Sequence, residues 1–276
     1  MDTPICDFVN KYIDSDFSRF HMPGHKGKEF IGCERQDITE IDGADVLSHA
    51  DGIIKKSQEN ATKLFGSGAS FYSTEGSSQC IKTMLAAVFM DYKIRQEQKS
   101  SESTISSTKP FVLAARNVHK SMIDALALLD LSVKFMYPKD ADSICVSMVT
   151  PDDVKSELEK KQKPMAVYIT SPDYLGNTAD IEGISKVCEE CDIPLIVDNA
   201  HGAYQAFLDE KKYGTVHPIQ SGAAICCDSA HKTLPVLTGG AYIHVSEKYR
   251  ERLAPHIASY MTIFGSTSPS YLIMQS

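Results

Sequence analysis

The residues of this sequence that could do chemistry come directly after short apolar runs. They comprise imidazoles, carboxylates, a hydroxyl and an amine: His119, Asp198, His201, Asp228, Ser229, His231 and Lys232. The runs before them end at Ala115, Val197 and Cys227. Ligands of open parallel sheets bind beyond the carboxyl ends of the strands, so these side chains should meet in one cleft. An amine and a carboxylate placed there could carry covalent and acid–base catalysis.

The start of a predicted helix at residue 76 adds groups that suit a phosphate. Gly76-Ser77-Ser78-Gln79 offers free backbone N–H groups and two hydroxyls, which is what a phosphate dianion requires. A phosphate site, a carboxylate, a stacking imidazole and a lysine each meet a different need of pyridoxal 5′-phosphate (PLP). The lysine would form a Schiff base, and the carboxylate would keep the pyridine nitrogen protonated so that the ring accepts electrons.

Short apolar runs that alternate with helical segments would position these residues. Runs typical of strands buried on both faces lie at 111–115, 133–137, 166–170, 193–197 and 223–227. Segments of helical length and period lie between them at 121–129, 151–160 and 181–190. This alternation predicts a three-layer α/β/α fold with a mainly parallel mixed sheet and helices on both of its faces.

The segments at either end and the long helix complete the predicted organisation. Residues 3–13 predict a short amphipathic helix that packs on another part of the molecule. A long helix is predicted from residue 76 to about residue 98, followed by a serine- and threonine-rich loop at 100–108. We expect an N-terminal helical arm at 1–20, a PLP-binding major domain at 21–265 and the start of a shortened C-terminal region at 266–276.

Composition and charge exclude several classes of function. The chain has 276 residues, 42% of them hydrophobic, enough for one large domain or two small ones. Lysine and arginine total 28 against 36 aspartates and glutamates, a net charge of −8, so no nucleic-acid or anionic-membrane partner is expected. Without a membrane-spanning apolar run or a secretory signal pattern, we expect a soluble cytoplasmic protein.

The eight cysteines are spread along the chain and fit reduced thiols better than a disulfide scaffold. Cys188 and Cys191 have the spacing of a zinc-ligand or redox pair. A zinc site would need a second pair of ligands with matching spacing, and none is evident. We therefore interpret this pair as part of a packed helix and predict no metal site.

Four motifs, in order along the chain, resemble the major domain of the ornithine/lysine/arginine decarboxylase family. They span residues 21–26 (His-Met-Pro-Gly-His-Lys), 198–203 (Asp-Asn-Ala-His-Gly-Ala), 229–235 (Ser-Ala-His-Lys-Thr-Leu-Pro) and 266–271 (Ser-Thr-Ser-Pro-Ser-Tyr). The resemblance covers nearly the whole chain and implies the aspartate-aminotransferase-like fold type I of PLP enzymes. It also implies decarboxylation of a small-molecule substrate, arginine, lysine or ornithine, in polyamine metabolism, by a homodimer or higher homo-oligomer.

The resemblance implies a role for each matched residue around the ring of the cofactor. Lys232 is expected to form the Schiff base, and Asp198 to be the partner of the pyridine nitrogen. His119 would stack on one face of the ring and Ala200 would contact the other. His201 would lie near the cofactor oxygen.

A second group is expected to hold the phosphate. Its members are Gly76, Ser77, Ser78, Gln79, Ser229 and His231. Thr267, in the segment 266–268, resembles a residue that reaches the phosphate of the neighbouring subunit. The resemblance therefore implies that a complete site requires a dimer.

Several alternatives stay open from the sequence alone. Another PLP reaction, such as transamination or aldol-type cleavage, could use the same lysine and acid, and so could a PLP-binding, oligomer-forming protein without catalysis. Either His231 or Lys232 could protonate the product carbon. His25 and Lys26 fit a substrate entrance or a structural turn. We assign no chemical role to the remaining histidines, which are His21, His49, His217, His244 and His256.

The sequence also departs from the family pattern. Glu75 places a carboxylate next to the expected phosphate loop, which is unfavourable unless that side chain points away. Asp173 stands where a hydroxyl residue is usual. Members of the family continue past the motif at 266–271 into a smaller C-terminal domain that closes the cleft, and we expect a wetter cleft without that domain.

Overall fold

The fold is built around one mixed sheet, to which the described residues contribute seven strands. The computed structural model describes residues 1–15, 17–100, 109–137 and 148–276. The strands are β1 (Ala69–Ser73), β2 (Phe111–Ala115), β3 (Ser132–Met136), β4 (Ala166–Thr170), β5 (Leu195–Asp198), β6 (Ile225–Asp228) and β7 (Ala241–Val245). Their order is β1-β7-β6-β5-β4-β2-β3. β7 is antiparallel to its neighbours β1 and β6, and the other pairs are parallel.

Helices connect the strands. They are α1 (Pro4–Asp14), α2 (Ile53–Phe65), α3 (Gly76–Ser100), α4 (Lys120–Leu128), α5 (Pro151–Leu158), α6 (Ile181–Glu190), α7 (Glu210–Tyr213), α8 (Ala230–Thr233), α9 (Arg250–Ile263) and α10 (Tyr271–Gln275). The predicted loop at 100–108 lies outside the described residues, apart from Ser100 at the end of α3. No helix in the described ranges is long and apolar enough to cross a membrane.

The core lies on both faces of the sheet, because side chains alternate along each strand. Val112 and Ala114 of β2 join one cluster of buried residues that also contains residues of α3, α4 and α9. Leu113 and Ala115 of the same strand join a second cluster, which contains residues of α5 and α6. The sheet is therefore the middle layer of three.

The first helix packs at one side of this layered core. Ile5 and Val9, one turn apart on α1, are buried against Ile54 of α2 and Tyr271 of α10. The tyrosine hydroxyl donates to the carbonyl oxygen of Asp45 at 2.6 Å. The predicted helix at 3–13 is thus present, and its apolar face is covered as the spacing requires.

The prediction of a three-layer α/β/α fold with a mainly parallel sheet is confirmed, but its element bounds need correction. β5 begins two residues after the predicted run at 193–197 and includes Asp198 as its last residue. The helix predicted at 151–160 ends at Leu158. The sequence analysis did not identify β1, β7, α2 and α9. The serines of β1 and the buried His244 of β7 hide the apolar pattern that identifies a buried strand.

Candidate active site

Several of the predicted site residues meet in a cleft at the carboxyl ends of β2, β4, β5 and β6. The loops after these parallel strands and the first turns of α3 line a cavity of about 440 Å³, a size typical of small-molecule sites. Six residues singled out from the sequence line it together: Ser77, His119, Asp198, Ala200, His201 and Lys232. Their convergence follows from the parallel direction of the four strands, whose carboxyl ends meet at one edge.

Asp198 is the buried acid of the cleft. It ends β5 with 1% of its surface exposed, paired with Thr170 of β4. Its Oδ1 accepts the backbone N–H of Ala200 at 3.2 Å, and its Oδ2 accepts the hydroxyl of Tyr168 at 3.2 Å. Burial raises the pKa of Asp198, and the Ala200 N–H and the positive charges nearby oppose that rise. A cation that enters the cleft would therefore stabilise the charged form of this carboxylate.

Lys232 lies on the one-turn helix α8, which follows β6 after a single residue. Its side chain lines the cleft and remains exposed. Ser229, the residue before α8, donates from Oγ to Oγ of Ser77 on α3 at 2.6 Å. His231 lies with Nδ1 at 2.9 Å from the carbonyl oxygen of Gly240, which therefore accepts a proton held on Nδ1. The lysine thus enters the cleft from a turn that is tied to two neighbouring elements.

The start of α3 forms the hydroxyl-rich end of the cleft. Gly76 has a φ of +74°, and its N–H donates to the carbonyl oxygen of Gly239 at 2.7 Å. This left-handed conformation favours glycine and lets the chain turn abruptly into the helix. Ser78 accepts a hydrogen bond from the hydroxyl of Ser121 at 2.9 Å. Ser77 and Ser78 therefore stand at a helix N-terminus beside two further serine hydroxyls.

His119 is held by the helix that it precedes. It is the N-cap residue of α4, and its Nδ1 accepts the backbone N–H of Ser121 at 3.2 Å. This contact leaves Nε2 as the nitrogen that can interact with a ligand in the cleft. His201 also lines the cleft, and the centroid of its ring lies 5.6 Å from the centroid of the Tyr174 ring. Burial and then the charge of Lys232 lower the pKa of His201, which favours its neutral form.

Six predicted cofactor residues do not line the cavity itself. Four of them directly adjoin or contact a lining residue: Gly76, Ser78, Ser229 and His231. The other two, Gln79 and Thr267, have side chains that lie away from the cleft. The carboxamide of Gln79 is buried between α3 and α9, where its Nε2 donates to the carbonyl oxygen of Met261 at 2.7 Å and its Oε1 accepts from Ser73. Thr267 lines a separate cavity of about 310 Å³ beside Gln79 and Tyr72. Only the backbone of Gln79 therefore remains available at the helix N-terminus, and Thr267 does not contribute to the cleft of its own chain.

The two acidic departures from the family pattern, Glu75 and Asp173, each have a local partner. The Glu75 carboxylate accepts the backbone N–H of Ser266, so it is bound to the segment before α10. Asp173 is 3% exposed and accepts the backbone N–H groups of Leu175 and Asn177, each at 2.9 Å. Asp173 thus stabilises the turn after β4.

The motif at residues 21–26 has the contacts of a structural turn. Nζ of Lys26 donates to the carbonyl oxygens of Phe20 and His21. His25 accepts the N–H of Gly27 at 3.0 Å through Nδ1, and its Nε2 lies 3.3 Å from Asp37. Of the two interpretations left open, these contacts favour the turn.

The cleft is also lined by residues that the sequence analysis did not single out, among them Asn117 and Thr170. Oδ1 of Asn117 and Oγ1 of Thr170 are buried and have no hydrogen-bond partner within the described structure. Buried polar atoms of native proteins are normally paired, so these two atoms indicate a polar ligand. Both residues follow or end a strand, β2 for Asn117 and β4 for Thr170, and the strand-end argument used for Asp198 could have found them.

Comparison with protein families places nearly the whole chain in one of them. The sequence model described as "Orn/Lys/Arg decarboxylase, major domain" matches residues 3–276. The chain belongs to the Orn/Lys/Arg decarboxylase family. The resemblance drawn from the four motifs is therefore confirmed. Membership in the Orn/Lys/Arg decarboxylase family also implies PLP as the cofactor of this fold.

Curated relatives of this family member include proteins of bacilli. It is 29% identical to arginine decarboxylase of Bacillus cereus over 286 aligned residues, which cover 100% of the chain and 57% of the relative. It is 30% identical to the uncharacterized protein YaaO of Bacillus subtilis, with 100% and 55% covered. The chain thus spans little more than half the length of the curated relatives it matches.

Solved structures share the fold of this family member. The lysine decarboxylase LdcF of Francisella novicida superposes with a TM-score of 0.73 at 21% identity, over 99% of this chain and 39% of that one. Lysine decarboxylase A of Pseudomonas aeruginosa gives 0.73 at 17% identity, over the same shares. These likenesses establish PLP fold type I for the chain.

A buried polar network of this decarboxylase-family chain surrounds Asp228, which the sequence analysis wrongly expected to line the cleft. Asp228, at the end of β6, is fully buried and does not line the cleft. Its carboxylate accepts Nδ2 of Asn199 at 2.6 Å and Nε2 of His217 at 2.9 Å, and His244 lies 3.3 Å away. Burial would raise the pKa of Asp228, but His217 and His244 outweigh it and hold that pKa well below its usual range.

This network is a hydrogen-bonded centre, although its side chains could also suit a metal. His217, Asp228 and His244 offer ligand atoms within 4.8 Å of one another. However, Nδ1 of His217 accepts the N–H of Ile219 at 3.4 Å, so its proton lies on Nε2 and is donated to Asp228. Coordination through Nε2 would require that proton to move to Nδ1, which would break the contact with the N–H of Ile219. His217 and His244, to which the sequence analysis assigned no chemical role, thus stabilise the buried carboxylate of Asp228.

An Asp228→Asn variant is expected to lose about 3 kcal/mol of stability at neutral pH, because it leaves the partners of a buried charge unpaired. A lowered pKa in the folded state stabilises above the unfolded pKa, and this contribution is lost as the pH falls toward the folded pKa. The stability gap between wild type and variant should therefore shrink below about pH 4. Urea unfolding at several pH values measures this gap.

Asp130→Asn serves as the control, because Asp130 is exposed and its ion pair with Lys109 lies in solvent. It should change stability by no more than about 0.5 kcal/mol. A gap for Asp228→Asn that is absent, or that stays constant from neutral to acidic pH, would contradict the role given to this carboxylate.

Proposed function

We propose that this chain is the PLP-binding, catalytic major domain of a decarboxylase that converts arginine, lysine or ornithine to the corresponding amine. The observation that carries the proposal is the meeting of Lys232, Asp198 and the hydroxyls at the start of α3 in one cleft. Family membership and the arginine and lysine decarboxylases among the relatives support the reaction type. Which basic amino acid is used is left to experiment.

The residues of the cleft fit PLP. Asn117 and Thr170 present buried polar atoms that have no partner in the described part of the chain, as expected of a site built for a polar ligand. Ser77 stands at the N-terminus of the long helix α3, where backbone N–H groups favour a phosphate, and the hydroxyl of Ser229 contacts that of Ser77. Asp198 is a buried carboxylate that lines the same cleft, and its negative charge suits a protonated heterocycle.

Bound PLP supplies an aldehyde that condenses with amines and a ring that withdraws electrons from the substrate. The side chains of the chain supply the rest. Lys232 would hold the cofactor through its amine, and Asp198 would hold a proton on the ring nitrogen. Because Lys232 lines the cleft and His231 does not, we infer that Lys232 protonates the product carbon. His119 would fix the plane of the ring from one side and Ala200 from the other.

The phosphate would be held at the start of α3. Backbone N–H groups from Gly76 to Gln79 and the hydroxyls of Ser77, Ser78 and Ser229 would bind its oxygens. Glu75 does not oppose this, because its carboxylate is bound to the N–H of Ser266.

We further infer a homodimer or higher homo-oligomer that acts in polyamine metabolism in the cytoplasm. Thr267 lies outside the cleft of its own chain, which supports a contact with the phosphate of a neighbouring subunit. The cysteines within the described residues are free thiols, as a reducing compartment favours. In this scheme residues 1–20 are an arm, 21–265 bind PLP and 266–276 begin a C-terminal region.

Incubation of the purified chain with PLP and, separately, arginine, lysine and ornithine tests this function. We expect carbon dioxide and the matching amine in equal amounts from one of the three substrates. Keto acid in place of carbon dioxide would indicate transamination. Bound PLP without any product would indicate a cofactor-binding protein that lacks catalysis.

A further inference from the structure

The side chain of Tyr168 lies directly beneath the cleft and contacts Asp198. Tyr168 belongs to β4, two residues before Thr170, whose Cα is paired with that of Asp198 on β5. Because side chains alternate along a strand, all three lie on the same face of the sheet. The phenol oxygen is 3.2 Å from Oδ2 of Asp198, and the tyrosine is fully buried.

The phenol is the donor in this contact. Burial, and then the neighbouring charge of Asp198, raise the pKa of Tyr168 well above its usual value, so the hydroxyl keeps its proton. Within the described residues, neither this hydroxyl nor Oδ2 of Asp198 has another hydrogen-bond partner. A buried hydroxyl costs free energy unless it is paired, so a phenylalanine would fill this place in the core without that cost. The hydroxyl therefore serves the carboxylate rather than the packing.

The other oxygen of Asp198 is held separately. Oδ1 accepts the N–H of Ala200 at 3.2 Å and lies 3.8 Å from Sγ of Cys227. The terminal torsion of an aspartate is broad when nothing restrains it. Donors on both oxygens, Tyr168 on one side and Ala200 on the other, restrict the carboxylate to one orientation toward the cleft.

We propose that Tyr168 is a positioning residue, whose phenol fixes the plane of the Asp198 carboxylate and shares its charge, so that the ring nitrogen of PLP meets a preoriented anion. This inference rests on the proposed function, because it takes Asp198 as the partner of that nitrogen. Without the phenol the carboxylate would turn more freely, and its buried charge would have one donor fewer. Both changes weaken its hold on a protonated ring.

Tyr168→Phe tests the inference, because it removes the hydroxyl and keeps the ring. Absorbance titration of the chain with PLP should give a dissociation constant about tenfold higher than that of wild type. The spectrum of the bound cofactor should also shift toward that of a form with an unprotonated ring. Tyr249→Phe is the matched control. It removes a phenol from the same hydrophobic cluster, away from the cleft, and should leave both readouts unchanged.

A double-mutant cycle separates positioning from damage to the fold. In an Asp198→Asn background, Tyr168→Phe should weaken PLP binding by less than about twofold, because the charged partner is already gone. Unfolding in urea shows whether each variant retains a folded core. Wild-type affinity and spectrum in Tyr168→Phe would overturn the positioning role, and so would an equal loss in the Asp198→Asn background. A wild-type chain that binds no PLP would overturn the proposed function itself, and this inference with it.

Discussion

A Lys232→Ala variant is expected to lose the visible absorbance band of a lysine-bound cofactor and at least about 10³-fold of its decarboxylase turnover. Within the described residues, Lys232 is the only lysine that lines the cleft, so no second amine stands ready to replace it. Its loss removes both the covalent attachment of PLP and the proton donor inferred for the product carbon. Absorbance spectra with PLP and assays of released carbon dioxide measure the two effects separately.

Lys186→Ala provides the control for this prediction. Lys186 lies exposed on α6, paired with Glu182 at 2.6 Å, and does not line the cleft. Spectrum and turnover should stay at wild-type values in this variant. A Lys232→Ala protein that keeps the visible band would show that another amine binds the cofactor.

An Asp198→Asn variant is expected to lose about 10²-fold or more of kcat, a size typical for removal of one preorganised electrostatic partner of a reaction. The neutral amide cannot hold a cationic ring nitrogen as the carboxylate does. Its effect on stability should be small, within about 1 kcal/mol, because burial already raises the pKa of Asp198 and its charge is costly in the apo protein. Turnover assays and urea unfolding of the same preparations test both statements.

The two buried aspartates at the ends of β5 and β6 should therefore behave oppositely. Asp198→Asn should lower turnover with little change in stability, and Asp228→Asn should lower stability because its charge is paired inside the protein. Full turnover in Asp198→Asn would refute the role of this residue. Equal loss of stability in both variants would show that the two carboxylates contribute equally to the stability of the fold, and would contradict this prediction.

The parallel strands and the meeting of Asp198 with Lys232 could be predicted because their signals are local. Each short apolar run stands next to the polar residue that it positions, and the topology of parallel sheets brings the strand ends together. β1 and β7 could not be predicted in this way. The His244 side chain in β7 is accommodated by Asp228 of β6 and Ser70 of β1, so the reason for a buried histidine in this strand lies in distant parts of the sequence.

The direction of individual side chains was also beyond the sequence. Gln79 follows two serines at the start of α3 and has the chemistry of a phosphate ligand, yet its carboxamide turns to the Met261 carbonyl oxygen of α9. That choice depends on where α9 packs, and α9 was not predicted. Family resemblance supplied residue types at the cleft, whereas the packing of α3 on α9 decides which of their atoms are free.

The pairing of β1 with β7 has a consequence for biosynthesis. Ala69 is paired with Val245, so when β1 leaves the ribosome its partner strand has not yet been made. At about 5–20 residues per second, translation of the intervening chain takes roughly 10–30 s. During that time β1 lacks the partner strand β7, and its unpaired backbone groups are the kind of surface through which nascent chains aggregate. We expect the yield of soluble protein to depend on chaperones that cover this segment until β7 emerges.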